Sequence, residues 1–279
     1  MNRALAWRVP SALRRRSVIS HQPASVLGKE REPKAEGGPG RERELGGEWL
    51  SPPEDATLDD SVMAGMGSGG PGLFITFEGL DGSGKSTQIE LLADALRERG
   101  HDVLVTREPG GTALGEAVRS VLLDVSHDSM TPRAEALLYA AARAQLVEEV
   151  VRPALTAGRI VLCDRYLDSS LAYQGYGRGL VTEDVLMLSV WATDCLFPDL
   201  TVALLLEEPA RAARAAGGAQ PDRLEAENAA FFARVAEGYR RLAADHGHRI
   251  RVIDASLPVE QVQARVRAAV DEEFGLFQK

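Results

Sequence analysis

From residue 72 onward, short apolar runs alternate with longer stretches in which apolar residues recur every three or four positions. Residues 73–77 (Leu-Phe-Ile-Thr-Phe) are rich in β-formers and predict a buried strand. Residues 85–99 place Ile89, Leu91, Leu92, Ala95 and Leu96 at helical spacing. Further strands are predicted at 103–106, 160–163, 200–206 and 250–253. Helices are predicted at 114–123, 132–156, 182–195, 228–244 and 258–274, the second opening on Pro132 after Thr131. Residues 168–174 are helix-prone and lead into a Gly-rich turn at 175–179, while a helix starting at 209 breaks at Gly217-Gly218. Strands alternating with helices imply an α/β architecture, a five-stranded parallel sheet covered on both faces. Ligands of such sheets bind at the carboxyl ends of the strands.

Residues 1–71 break the pattern. They contain Gly-Gly-Pro-Gly, Ser-Pro-Pro and Gly-Ser-Gly-Gly-Pro-Gly, with ten basic and ten acidic residues and little periodicity. Such a segment cannot bury enough apolar surface to offset its ordering entropy, so it is expected to be disordered. Residues 1–29 carry no acid and six Lys or Arg, a composition resembling an organelle transit peptide. The reading we prefer is an upstream start, with the true start near Met63 or Met66, because the acidic, Gly-rich stretch 30–71 is atypical of transit sequence. The domain proper is expected over 72–279.

The net charge of −9 does not indicate a nucleic-acid-binding surface. No apolar run is long enough to span a membrane. Cys163 and Cys195 sit in apolar contexts and read as free thiols in a reducing, cytoplasmic compartment. The five histidines show no metal-ligand spacing.

The chemistry concentrates directly after the first strand. Gly79-x-x-x-x-Gly84-Lys85-Ser86, between a strand and a helix, is the context that a phosphate-binding P-loop requires. Glycines let backbone N–H groups turn inward around phosphate oxygens, and the helix start adds partial positive charge there. Gly79, Leu80, Asp81, Gly82, Ser83, Gly84, Lys85, Ser86 and Thr87 are therefore the expected ATP site. Lys85 is placed to reach the β- and γ-phosphates, and the Ser86 hydroxyl to hold Mg²⁺. Arg107, Asp164 and Arg165 fall at the carboxyl ends of other strands. A guanidinium offers a planar fork for a phosphorylated acceptor, and Asp164 is an acid where a Mg²⁺ partner would sit.

Six pieces in chain order complete the picture: residues 74–87, Thr106-Arg-Glu-Pro-Gly-Gly-Thr112, Ala134-Glu135 with Tyr139 and Arg143, Asp164-Arg-Tyr166, Ser169-Ser-Leu-Ala-Tyr-Gln-Gly175 and Asp222-Arg-Leu-Glu225. Together they resemble the thymidylate kinase (dTMP kinase) family in its bacterial form. The resemblance implies a P-loop NTPase-type three-layer fold with a small mobile lid at about 211–224. It implies transfer of the γ-phosphoryl of ATP to dTMP with Mg²⁺, and commonly a homodimer. By the same resemblance, Arg107 holds the acceptor phosphate, Arg165 bridges towards the transferred group, and Asp164 reaches the metal through water. Asp81 bonds the 3′-hydroxyl, Tyr139 stacks on thymine where the family usually has Phe, and Arg143 and Ser170 meet the base edge. Tyr173 sits against the sugar 2′ position, Gln174 neighbours the pocket, and Glu108–Pro109 is cis. A lid arginine is expected over ATP, with Arg214 and Arg223 as candidates in a stretch poor in basic residues. The alternatives are another P-loop nucleotide or deoxynucleoside kinase, or a degenerate nucleotide-binding module without catalysis. A GTP-dependent switch would carry Asn-Lys-x-Asp, which the chain lacks.

Overall fold

The computed structural model describes residues 71–206 and 222–278. The N-terminal stretch 1–70 lies outside them, as do Arg211, Arg214 and the Gly217-Gly218 pair.

The elements are β1 (Leu73–Glu78), α1 (Lys85–Arg97), β2 (Val103–Arg107), α2 (Ala113–Leu123), α3 (Pro132–Leu146), α4 (Arg152–Thr156), β3 (Ile160–Asp164), α5 (Leu167–Ser170), α6 (Thr182–Ala192), β4 (Leu200–Leu205), α7 (Ala229–Asp245), β5 (Ile250–Asp254) and α8 (Val259–Phe274). The strands form one parallel sheet in the order β2-β3-β1-β4-β5. The three inner strands are buried along almost their whole length, which is why they read as unbroken apolar runs. The two edge strands alternate with solvent.

On one face, Ile89, Leu92 and Leu96 of α1 and Val262, Val266 and Val270 of α8 pack against Ile75, Phe77, Leu162 and Val202. Each such side chain, fully buried, stabilises the fold by about 1.5–3 kcal/mol. Register places Phe77 opposite Asp164 and Arg107 opposite the same Asp164, so three strands end at one edge and their next residues enter one cleft.

Two expectations need correction. The predicted helix 132–156 is not uniform: a wide π-type turn, Val147–Val151, joins α3 to α4. Pro153 lacks the N–H that would bond one turn back, and a widened turn accommodates the gap. The expected Gly-rich turn at 175–179 is in part a second wide helical turn, Leu171–Gly177, continuing from α5. Gly177 is there for close packing, since a Cβ would come within 2.7 Å of the Phe231 ring on α7.

Candidate active site

The phosphate end of the cleft is built from consecutive residues. Gly79, Gly82 and Gly84 adopt φ of 132°, 78° and 92°, which keeps the loop tight between β1 and α1. A Cβ at Gly79 would lie 2.3 Å from the Leu204 carbonyl, so the strand-to-loop exit admits glycine alone. Lys85 is buried and folded back, with Nζ donating to the Gly79 and Leu80 carbonyls, each at 3.2 Å. Burial and the Arg165 charge lower its pKa to about 8, against the pull of Asp164 and Asp81. The Ser86 hydroxyl donates to Asp164 Oδ2 at 3.2 Å. Asp164 Oδ1 is buried without a partner, an oxygen pair and hydroxyl that suit a hard divalent cation. Arg107 lines this end but is exposed, its Nη2 donating to both oxygens of Glu116 at 3.0 and 3.1 Å.

The second end is a cavity assembled from distant elements. Tyr139 of α3, Ser169 and Ser170 of α5, and Tyr173 and Gln174 of the wide turn line it, with Asp81 and Arg165 at the phosphate end. Gln174 is turned by its Nε2, which donates to Glu135 at 2.8 Å. Arg143 stands one layer behind and is almost fully buried. Its Nε donates to Glu108 Oε2 at 2.8 Å, Nη1 to Ser189 Oγ at 3.0 Å, and Nη2 to Ser170 Oγ at 2.8 Å. Burial pushes Glu108 up to about 7 in spite of the Arg143 charge.

Arg165 joins the ends. Its backbone is left-handed, φ 69°, at the turn leaving β3. Nη2 lies 2.6 Å from Asp81 Oδ1, and Nη1 donates to the Gly79 carbonyl at 3.0 Å. Burial raises the Asp81 pKa, but the charges of Arg165 and Lys85 outweigh it and hold the carboxyl at about 2. Tyr173 presents its ring to the Arg165 guanidinium at 5.1 Å and its hydroxyl to Asp81 at 3.5 Å.

Comparison with known proteins bears on the fold that carries this cleft. The family model "Thymidylate kinase" matches residues 77–266. The thymidylate kinase of Exiguobacterium sp. is 50% identical over 195 residues, spanning 70% of this chain and 92% of its own. That of Desulforudis audaxviator is 54% identical over 206 residues, spanning 72% and 93%. The crystal structure of thymidylate kinase from Ehrlichia chaffeensis superposes with a TM-score of 0.59 at 33% identity, covering 71% of this chain and 98% of that one. The chain belongs to the thymidylate kinase family.

Within this thymidylate kinase fold, one lid candidate is corrected. Arg223 does not reach over the P-loop: its Nε donates to the Leu122 carbonyl at 2.7 Å and Nη2 lies 2.7 Å from Glu135. Glu135 is fully buried and also pairs with Arg178, so it needs the cations that surround it. Arg214, the other candidate, lies outside the described residues. The Glu108–Pro109 bond is cis, as the family resemblance implied.

Three side chains that line the cleft or stand behind it are not singled out by the sequence. Arg119 of α2 lines both ends of the cleft and donates to the Pro109 carbonyl at 3.0 Å. In the sequence it reads as a solvated helix charge, and only its place one helical turn beyond Glu116, the partner of Arg107, hints otherwise. Glu78 ends β1 and is fully buried; burial and the Asp168 charge raise it to about 7, against hydrogen bonds from Ser169 and Tyr166. Tyr239 of α7 carried no signal beyond that of a core aromatic.

Proposed function

We propose that this chain transfers the γ-phosphoryl group of ATP to the 5′-phosphate of dTMP, giving dTDP and ADP. The observation that carries the reading is Arg165, bonded to the P-loop carbonyl of Gly79 while lining the acceptor cavity. One guanidinium is thus in reach of both phosphate groups.

ATP phosphates replace the carbonyls that Lys85 now caps, and the loop N–H groups cradle them. Arg107 releases Glu116 and, with Arg119, takes the acceptor phosphate; an exposed ion pair is cheap to exchange. Tyr139 stacks on the base, Ser170 meets its polar edge with Arg143 behind it, Tyr173 borders the sugar, Asp81 meets the 3′-hydroxyl and Gln174 closes the wall. Arg214 is our candidate for the lid arginine. An oxygen of the acceptor phosphate attacks the γ-phosphorus as the bond to the β–γ bridging oxygen breaks. That nucleophile is already anionic, so no strong base is required; positioning and charge neutralisation supply the catalysis. Ser86 and Asp164 would hold Mg²⁺, which neutralises charge on the β- and γ-oxygens when bound.

The reading extends to a homodimer in the cytoplasm, with the kinase domain over residues 72–279. Exposed Leu137 of α3 and Trp191 of α6 support an interface on that side. Cys163 and Cys195 are free, and among the described residues no helix is long and apolar enough to cross a membrane.

The test is coupled ADP release with ATP and Mg²⁺, offering dTMP, dUMP, dCMP, dGMP and thymidine separately. Turnover on dTMP at least tenfold above the rest is expected. Preference for another acceptor would overturn the base-pocket roles, and ATP binding without turnover would point to the degenerate module.

A further inference from the structure

Behind Arg165 lies a buried array that the mechanism above does not use. Glu78 Oε2 accepts from the Ser169 hydroxyl at 2.5 Å and from the Tyr239 hydroxyl at 3.0 Å. Glu78 Oε1 accepts from the backbone N–H groups of Tyr166 at 2.8 Å and Ser169 at 3.2 Å. Arg165 Nη1 in turn donates to Ser169 Oγ at 3.2 Å and to the Tyr239 hydroxyl oxygen at 3.4 Å.

With Glu78 ionised, the proton inventory gives these bonds one consistent direction. Each hydroxyl has one proton and lone pairs to spare. The ionised Glu78 accepts only, so both hydroxyls can donate to it, and both oxygens, which also lie 3.0 Å from each other, can turn lone pairs to Arg165. The same carboxylate pins the N–H of Tyr166, next to the left-handed backbone of Arg165. Arg165 is therefore held from behind by two acceptors and a fixed backbone, and its Nη2 faces Asp81 and the Tyr173 hydroxyl. The array spans β1, α5 and α7, elements far apart in sequence.

We propose that Glu78 and Tyr239 are positioning residues for phosphoryl transfer: Glu78 sets the Tyr239 and Ser169 hydroxyls as acceptors, and these aim the Arg165 guanidinium at the transferred group. The inference rests on the kinase reading above. Glu78→Gln keeps the shape and reverses the logic. Its amide donates to one hydroxyl, whose proton must then turn towards Arg165 and oppose it. Tyr239→Phe removes one acceptor and leaves the ring packing.

The experiment measures kcat and KM for ATP and dTMP in the full chain and in Glu78→Gln, Tyr239→Phe, Arg165→Lys and Tyr239→Phe/Arg165→Lys. Misplacement of a group that acts in the transition state lowers kcat and leaves binding largely alone. Glu78→Gln is expected to lose about 10–100-fold in kcat and Tyr239→Phe about 3–10-fold, each with KM within about threefold. In the Arg165→Lys background, Tyr239→Phe should cost less than about twofold, because its partner is gone. Unchanged kcat in Tyr239→Phe, or the same factor lost in both backgrounds, would overturn the proposal. If Glu78→Gln does not fold, the Tyr239 cycle decides alone. Turnover of the parent chain on dTMP is the reference, so a failure of the kinase reading shows in the parent and a failure of this one only in the variants.

Discussion

The two ends of the cleft are made by different means. The phosphate end is backbone: eight consecutive residues, three glycines with positive φ, and a lysine one step into α1. The acceptor end is side chain: Tyr139, Ser170, Tyr173 and Gln174 arrive from two helices and a wide turn, and buried ion pairs hold them. A backbone site is specified by chain geometry and tolerates change around it. A side-chain site depends on every charge behind it being matched, because an unpaired buried charge is costly. Arg165 belongs to both, which makes it the first place to test the division.

Arg165→Ala should produce the largest effect. A cation on the transferred group is worth on the order of 10³ in kcat, and the loss should appear with ATP binding intact. Nucleotide titration alongside steady-state turnover checks it; near-normal turnover would dissolve the link between the two ends. Arg143→Met comes next and concerns the acceptor end alone. It leaves Glu108 buried without its 2.8 Å partner, which should cost about 3–5 kcal/mol in denaturant unfolding and raise KM for dTMP. KM for ATP should stay within about twofold, since the backbone site does not feel the change. A large shift in ATP affinity would mean the ends are not separable.

The smallest effect is a pH dependence of stability. Glu78 has a folded pKa of about 7, above its ordinary 4.5. Between those values the folded chain binds more protons than the unfolded one, so this group's contribution falls as pH rises through that window. Asp168 and Arg165 face it most directly, with Lys85, Glu108, Arg249 and Tyr239 nearby. The melting temperature should therefore drop by a few degrees from about pH 5 to 7, and Glu78→Gln should reduce that slope in differential scanning calorimetry, leaving the share of Glu108, which is raised to about 7 as well. An equal slope in both chains would place the proton elsewhere.

Legibility in the sequence follows the same division. The strand order of polarity, the P-loop and the strand-end residues Arg107, Asp164 and Arg165 all stand in short contiguous stretches. Local pattern and motif chemistry are enough to read them. The two wide turns were not legible, because widened helical turns keep helical composition and differ only in hydrogen bonding. Arg223 looked like a lid residue because its neighbours match a lid. What redirects it is Glu135, a buried acid on a helix some ninety residues earlier. Tyr239 and Glu78 meet across 161 positions, a separation at which nothing in the local pattern announces the pairing.

Glu135 carries one more consequence. It answers two arginines, Arg178 and Arg223, and the Gln174 amide at once, while Arg178 also pairs with Glu227. Replacing Glu135 leaves two largely buried arginines and a buried amide without the acceptor they share. The set therefore behaves as a single inherited unit. Change at Glu135 is expected to require its partners to change with it, so this corner of the acceptor wall should vary in whole steps, while the solvated flank of α2 next to it should vary one residue at a time.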